Sequence, residues 1–176
     1  AYEIRNCDWS SDVCSSDLTE WDLQDPLRHL RTSLDAQRYA LFAADLTHHM
    51  LEDRDPHPRV FGALLRCLRE LENPAQRGAA LLAFQWVLLE DCGYKPELEN
   101  DVASASPLPV QHAYTFDARK GGLVSDGAGD AGWKVRRETV ELLRDVSHGA
   151  PADGTPGETI ERANRLLCAY VRRSEE

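Results

Sequence analysis

Thiol groups are the side chains in this sequence best suited to metal or redox chemistry, and their spacing argues against both. The five cysteines are scattered and show no paired spacing: Cys7, Cys14, Cys67, Cys92 and Cys168. Structural zinc sites use ligands that arrive in close pairs, and disulfide frameworks belong to small secreted domains. We therefore predict free thiols in a reducing cytoplasm, with no metal and no cofactor.

Histidines and carboxylates give no better case for catalysis. His48 and His49 are adjacent, so on a helix they point about 100° apart and do not easily share an ion. The glycine-rich run 127–132 lacks the Gly-Lys-Ser/Thr ending of a phosphate-binding loop, and no His-Glu-x-x-His helix occurs. The acidic pairs at 52–53 and 90–91 suit a solvated surface. We therefore predict that the protein is not an enzyme. A metal hydrolase is the alternative, but no two histidines here have ligand spacing together with a carboxylate partner.

Basic side chains are concentrated toward the C-terminus of an otherwise acidic chain. The net charge is −10, which argues against a strongly basic nucleic-acid-binding protein. Residues 134–176 nevertheless hold eight basic groups against eight acidic ones, whereas residues 19–133 carry −7. Because phosphate binding requires clustered lysine and arginine, we predict a DNA-binding patch formed by Lys134, Arg136, Arg137, Arg165, Arg172 and Arg173. The alternative is ordinary helix-surface charge, with C-terminal arginines favoured by the helix dipole.

Apolar residues recur at steps of three and four through most of the chain, a spacing typical of helices. Helices must therefore position the basic side chains. The most apolar run, 79–98, is hydrophobic around most of its circumference, which indicates a buried helix too short to span a membrane. Gly93 supplies a left-handed helix stop, and Pro96 prevents the helix from resuming. Asn73, followed by Pro74, is the expected capping residue before this helix.

The same periodicity predicts the other helices. One long helix, or two nearly continuous ones, should start at Asp25 and Pro26 and run to about residue 51. Further helices are expected over 60–71, 135–146 and 155–171. The predicted fold is mainly all-α, an antiparallel bundle of about five helices.

An irregular insert interrupts the bundle at about residues 99–132. Alanine, serine, glycine, proline and aspartate dominate it, and the helical period disappears. The strand-like fragments 112–116 and 122–124 flank a five-residue turn with a glycine, which predicts a small β-hairpin.

Residues 1–18 fit poorly with the rest of the chain. The stretch 7–18 resembles translated sequencing-adapter sequence, with the nearly repeated element Cys-Asp-Trp-Ser-Ser-Asp and Cys-Ser-Ser-Asp. We expect an artefactual or disordered segment that replaces the true N-terminus, and the alternative is a natural polar arm. Residues 19–176 are then the folded domain.

Three segments carry a recognisable pattern: 81–98 with its Gly-Tyr-Lys-Pro-Glu-Leu end, 116–124 with its Gly-Gly-Leu-Val end, and 137–144. In this order they resemble the C-terminal region of the RecO family of bacterial DNA repair proteins. The resemblance covers about 26–173. It implies a helical domain that binds single-stranded and duplex DNA, a RecR-like partner and the tail of the single-strand-binding protein, and that promotes recombinase loading and strand annealing.

The resemblance also implies a zinc site, but the cysteine ligands of that site are absent from this sequence. Many relatives, though not all, carry one Cys-x-x-Cys after each of the first two segments, and the matching positions here are Asp101, Ser104, Ser125 and Ala128. With no cysteine among the four, we predict no zinc and a degenerate zinc-finger-like insert that is loosely held and the least ordered part of the domain.

The resemblance further implies an N-terminal oligonucleotide-binding barrel, which no run of short alternating strands here supplies. We therefore expect a truncated protein that keeps only the helical domain. The tail of the single-strand-binding protein would need a groove with apolar walls and an arginine rim. The alternative function is a helical protein-interaction module without nucleic-acid binding, which the acidic balance favours.

Overall fold

A computed structural model describes residues 26–52, 55–125, 132–152 and 154–174. Within these residues the fold is mainly helical, as predicted, with six helices and one small sheet. In chain order the elements are α1 His29–Thr32, α2 Leu34–Met50, α3 Pro58–Glu70, α4 Arg77–Asp91, β1 Ala113–Asp117, β2 Gly122–Val124, β3 Trp133–Arg136, α5 Arg137–Ser147 and α6 Gly157–Ser174. The predictions for residues 1–18 and Asp25 lie outside the described residues. No helix among those described is long and apolar enough to cross a membrane.

Helix α4 is the centre of the bundle, as its sequence predicts. It packs against α2, α3, α5 and α6, and its buried side chains are Ala80, Leu81, Leu82, Phe84, Gln85, Trp86, Leu88 and Leu89. Gly93 has φ of +80° and ends the helix. The N–H of Gly93 donates to the carbonyl of Glu90 at 3.2 Å, and that of Tyr94 to the carbonyl of Leu89 at 2.8 Å. This bond pattern is a Schellman motif, which satisfies the last carbonyls of α4.

The first two helices are nearly continuous, as predicted, but they start later than expected. Pro26 precedes the helix, and α1 begins at His29. Ser33 is extended and interrupts the helical path, while its hydroxyl accepts a hydrogen bond from the N–H of Ala36 and caps α2. Asn73 likewise accepts from the N–H of Ala75, so this turn precedes α4 rather than capping it directly.

A small ionic cluster joins the start of α3 to the end of α4. His57, just before α3, contacts Asp91 through Nδ1 at 2.6 Å and Asp55 through Nε2 at 3.3 Å. The hydrogen bond with Asp91 raises the pKa of His57. Glu90 pairs in turn with Arg59. These contacts fix the antiparallel packing of the two helices at one end.

The insert contains the predicted hairpin and a third strand that the sequence analysis missed. The sheet order is β2-β1-β3, and both pairs are antiparallel. Residues 135 and 136 were expected at the start of a helix, and this is wrong: Val135 pairs with Tyr114, and Arg136 with Ala113. The helix begins at Arg137. Four residues are too few to show a strand period beside a strongly periodic helix.

The described part of the insert is bound firmly to the bundle, contrary to the expected loose attachment. Phe116 and Leu123 are fully buried in the common core. The backbone of Glu97 bonds to Gly121 and Leu123, and the N–H of Val102 donates to the carbonyl of Leu123 at 3.0 Å. Segment 97–102 therefore lies along β2. The relative order of the insert stays a prediction.

Gly122 is closely packed, so a side chain at this position has no room. A Cβ atom there would lie 2.5 Å from Cγ1 of Val102 and 2.6 Å from the carbonyl oxygen of Glu97. We expect Gly122→Ala to lower the free energy of unfolding by about 1–3 kcal/mol in urea titrations, since the backbone must move. Gly62→Ala is the matched control on exposed α3, where nothing lies within 4 Å of the new methyl group. It should stabilise the protein by about 0.5–1 kcal/mol, and a shift of the same sign in both variants would contradict this packing.

Candidate nucleic-acid interface

Four of the predicted basic residues are brought to two separate cavities along α6. We call the first the strand-edge cleft, a cavity of about 330 Å³ between β3 and α6. Its lining comprises all four residues of β3, Thr139 of α5, and Arg162, Arg165, Leu166 and Ala169 of α6. Lys134, Arg136 and Arg165 of the predicted patch are thus assembled here. None of the described lining residues is acidic.

The second cavity, the hairpin-turn basin, lies at the turn between β1 and β2 and measures about 550 Å³. It is lined by Tyr94, Ala118, Arg119, Lys120, Gly121, Tyr170 and Arg173. Arg173 is the predicted residue at this place, and Arg119 and Lys120 join it from the hairpin turn. Burial raises the pKa of the Tyr170 hydroxyl, which keeps the group neutral and able to donate a hydrogen bond.

Arg137 and Arg172 line neither cavity. Arg137 donates from Nε to Glu141 at 2.6 Å on the outer surface of α5, and Arg172 is exposed on α6. The predicted patch is therefore divided, and the contacts favour Lys134, Arg136, Arg165 and Arg173 within it.

Sequence reasoning missed four residues of these cavities: Arg119, Lys120, Trp133 and Arg162. Arg119 and Lys120 were assigned to a turn without being counted as a charge cluster. Arg162 lies three residues before Arg165 on one helix, a spacing that places both on neighbouring positions of one face. That spacing was the available signal.

The positions where relatives would hold zinc form a different arrangement, a hydrogen-bonded clasp centred on Asp101. This carboxylate is 3% exposed. Its Oδ1 accepts from the N–H of Ala103 at 2.7 Å and of Ser104 at 3.2 Å. Its Oδ2 accepts from the N–H of Ser125 at 2.8 Å and from the Ser125 hydroxyl. These bonds hold the pKa of Asp101 well below its usual range.

The residues of the clasp do not fit a zinc ion. Both oxygens of Asp101 are already occupied as acceptors, and the hydroxyl of Ser104 pairs with that of Ser106 at 2.7 Å. Zinc takes thiolate, imidazole or carboxylate ligands, usually four of them. The fourth position, Ala128, lies outside the described residues. Among those described, no group of three or more histidine, cysteine or acidic residues is placed to hold a metal.

We expect Asp101→Asn to lower the urea midpoint, because an amide group would face hydrogen-bond donors that the carboxylate now accepts. Asp117→Asn is the control, since among the described residues the Asp117 carboxylate accepts only from the N–H groups of Arg119 and Lys120, within its own turn. The difference between wild type and Asp101→Asn should be full above about pH 4. It should shrink below that pH, because the lowered pKa stabilises only the ionised state.

A chelator provides the second arm of that experiment. EDTA should leave the wild-type midpoint unchanged, because the clasp uses hydrogen bonds. A chelator-sensitive midpoint, or an Asp101→Asn variant as stable as Asp117→Asn, would contradict the clasp.

Comparison with known proteins agrees with the arrangement of these elements. The family model described as "Recombination protein O C terminal" matches residues 31–174. DNA repair protein RecO of Rhizobium leguminosarum is 32% identical over 135 residues, which cover 77% of this chain and 50% of the relative. RecO of Dehalococcoides mccartyi is 29% identical over 124 residues, 69% of this chain and 49% of the relative. RecO of an Azoarcus species is 30% identical over 117 residues, 66% of this chain and 47% of the relative.

The chain thus spans about half the length of the curated relatives it matches. The family match covers α2 through α6 and the whole described insert, including the third strand. The chain belongs to the RecO C-terminal family.

Proposed function

We propose that this chain is the helical part of a RecO-type DNA repair protein and contacts DNA, single-stranded and duplex, through its cationic cavities. The observation that carries this proposal is the strand-edge cleft, where Lys134, Arg136, Arg162 and Arg165 meet beside Trp133 in a chain of net charge −10. Clustering of this kind, rather than net charge, is what phosphate groups recognise.

Two cations of the cleft are available to phosphate at low energetic cost. Arg165 pairs with Glu161, and because these side chains are 71% and 64% exposed, the pair contributes only about 0–1 kcal/mol. Within the described part of the chain, Lys134 forms no ion pair. Arg162 is held more firmly, since its side chain is 24% exposed, pairs with Glu158 and donates to the hydroxyl of Thr159 at 2.9 Å. A phosphate group can therefore replace Glu161 without a large loss.

The proposed role is binding rather than catalysis. Cys67, the most buried of the described thiols, has its pKa raised to about 12 by burial, so it is protonated and unreactive at neutral pH. His57 is engaged by Asp55 and Asp91 in the packing of α3 on α4. These groups serve the fold, which supports a mediator without a reaction of its own.

We further propose that the protein works in the cytoplasm with a RecR-like partner and the single-strand-binding protein, promoting recombinase loading and strand annealing. Family membership supports these roles, since the relatives are DNA repair proteins.

One further cavity favours the protein-interaction function as a second activity of the same chain. The bundle groove, about 430 Å³ between α2, α4 and α6, has apolar walls that include Tyr39, Phe42 and Ile160. Arg165 also lines it, beside its ion-pair partner Glu161. These are the two features that an acidic, aromatic-ended peptide such as the tail of the single-strand-binding protein requires.

The floor of the bundle groove also offers an unused polar atom. Gln85 is 1% exposed, and its Nε2 donates to Asn164 at 2.7 Å. Its Oε1 has no hydrogen-bond partner among the described residues. A buried acceptor without a partner is costly, and a peptide N–H would satisfy it only if the side chains that cover it moved aside.

Charge reversal tests the DNA contact. The double variant Lys134→Glu with Arg136→Glu should lose at least about tenfold in DNA affinity at low salt, because two phosphate contacts become repulsive. For a single strand, the slope of log affinity against log salt should fall by about 0.7 for each lost contact. Fluorescence anisotropy with labelled DNA over a salt series measures both quantities.

The matched control is Arg31→Glu with Arg38→Glu, which changes net charge equally on exposed positions of α1 and α2. It should have a much smaller effect. Equal losses in both double variants would contradict a localised DNA site and leave only a general charge effect.

Filling the bundle groove tests the peptide site separately. Ala75 is exposed and lines the groove just before α4, so Ala75→Trp should block it without disturbing the core. We expect at least about a tenfold loss of affinity for an acidic peptide ending in phenylalanine, about 1.4 kcal/mol, with DNA affinity unchanged. Ala44→Trp, exposed on α2 and outside this groove, is the control. Unchanged peptide affinity in Ala75→Trp would remove the groove as the site.

A further inference from the structure

Trp133 lies on the edge strand of the sheet, packed against a buried ring on one side and bordered by a cavity. It lies directly opposite Phe116 on the neighbouring strand. The two rings are parallel within 5°, with centroids 6.0 Å apart. Phe116 is fully buried and also meets the ring of Tyr170 edge-on. The indole is thus held in a fixed plane from its inner side.

Its outer side borders a cavity rather than another strand. β3 is the last strand in the order β2-β1-β3. Successive residues of a strand point to opposite faces, yet all four residues of β3 line the strand-edge cleft. The cleft therefore runs along the free edge of β3, and the half-buried indole lies at its inner end.

The floor of the cleft carries a polar atom that the fold does not use. Thr139 is 1% exposed, and its hydroxyl has no hydrogen-bond partner among the described residues. Thr139 lines the cleft, as do the cations Lys134, Arg136 and Arg165. The cleft available to a ligand is thus defined by an aromatic plane and surrounding positive charge, which are together complementary to one nucleotide: a base and its phosphates.

We propose that the strand-edge cleft binds a single-stranded nucleic acid by stacking one unpaired base on Trp133, and that Trp133 is the residue that discriminates single strands from duplex. This rests on the proposed DNA contact. The cavity of about 330 Å³ is at the lower end of small-ligand sites, roughly 300–1,000 Å³. It has room for a nucleotide but not for a duplex, whose bases are paired and stacked on one another.

The hairpin-turn basin lies further along the same side of α6. Positions 162, 166, 169 and 173 of α6 lie on one side of the helix, because they are spaced by three and four residues. Arg162 is in the strand-edge cleft and Arg173 in the hairpin-turn basin. The two are about 16 Å apart along the helix axis at about 1.5 Å per residue. The cations of the basin are therefore within a few nucleotides' length of Trp133.

The test compares single-stranded and duplex DNA of the same length on the full chain. Trp133→Leu retains apolar volume but removes the aromatic plane. It should weaken binding of an oligothymidylate roughly five- to hundredfold, the range for loss of one stacked base. Duplex affinity should stay within about twofold, because phosphate contacts remain. Trp133→Phe should restore most of the single-strand affinity.

A second variant avoids the buried contact with Phe116. Ala169 lies in the wall of the cleft opposite β3, so Ala169→Phe fills the cleft while every cation and Trp133 remain. It should also weaken the oligothymidylate and spare the duplex. Circular dichroism identifies any variant that fails to fold, and the other variant then decides the result.

The outcomes separate this inference from the proposed function. If folded Trp133→Leu or Ala169→Phe binds the oligothymidylate like wild type, or loses both DNA forms equally, stacking on Trp133 is refuted while DNA binding stands. If wild type binds neither form at low salt, the DNA contact itself fails, and this inference fails with it. Selective loss of the single strand supports the proposal.

Discussion

The contact between the insert and α6 is the constraint on which both cationic cavities depend. Phe116 of β1 is fully buried, and its ring meets that of Tyr170 with centroids 5.2 Å apart at 77°. Aromatic pairs in this geometry contribute about 0.5–1.5 kcal/mol beyond the area they bury. With β1 fixed on α6, β3 must lie beside the middle of the helix, and the hairpin turn beside its C-terminal end. Lysines and arginines distant in sequence become neighbours only because this sheet is docked here.

Attachment of the insert without a metal follows from hydrogen bonding at a single carboxylate. A zinc ion joins two chain segments by drawing thiolates to one point. Asp101 joins the same two segments by accepting from backbone N–H groups on its own side and from Ser125 across the gap. A buried charge is costly unless it is fully hydrogen-bonded, and here both oxygens have two donors. The clasp therefore needs no ion, while the backbone pairing of Glu97 with Gly121 and Leu123 supports it.

Local signals were sufficient for the helices and the hairpin, and insufficient for the third strand and the site. The end of α4 was predictable because Gly93 and Pro96 act within one turn, and the hairpin because Gly121, with φ of +71°, ends its turn. β3 was missed because its pairing with β1 is not encoded within its own four residues. The cavities were missed because residues distant in sequence form each of them. Trp133 and Arg162 meet across 29 positions of sequence, and no periodicity connects them.

An acidic chain with two cationic cavities is physically consistent with DNA binding, because screening separates local from global charge. At physiological salt, charges more than about 8–10 Å away are largely screened. A phosphate docked in the strand-edge cleft then responds mainly to the cations that line it and to Glu158 and Glu161, which pair with the two arginines of α6. The net charge of −10 is screened at that salt, so it disfavours non-specific association with DNA mainly at low ionic strength. The local charges therefore decide whether a strand binds in the cleft. On the DNA contact proposed above, binding is set by whether a base and its phosphates fit the cleft together.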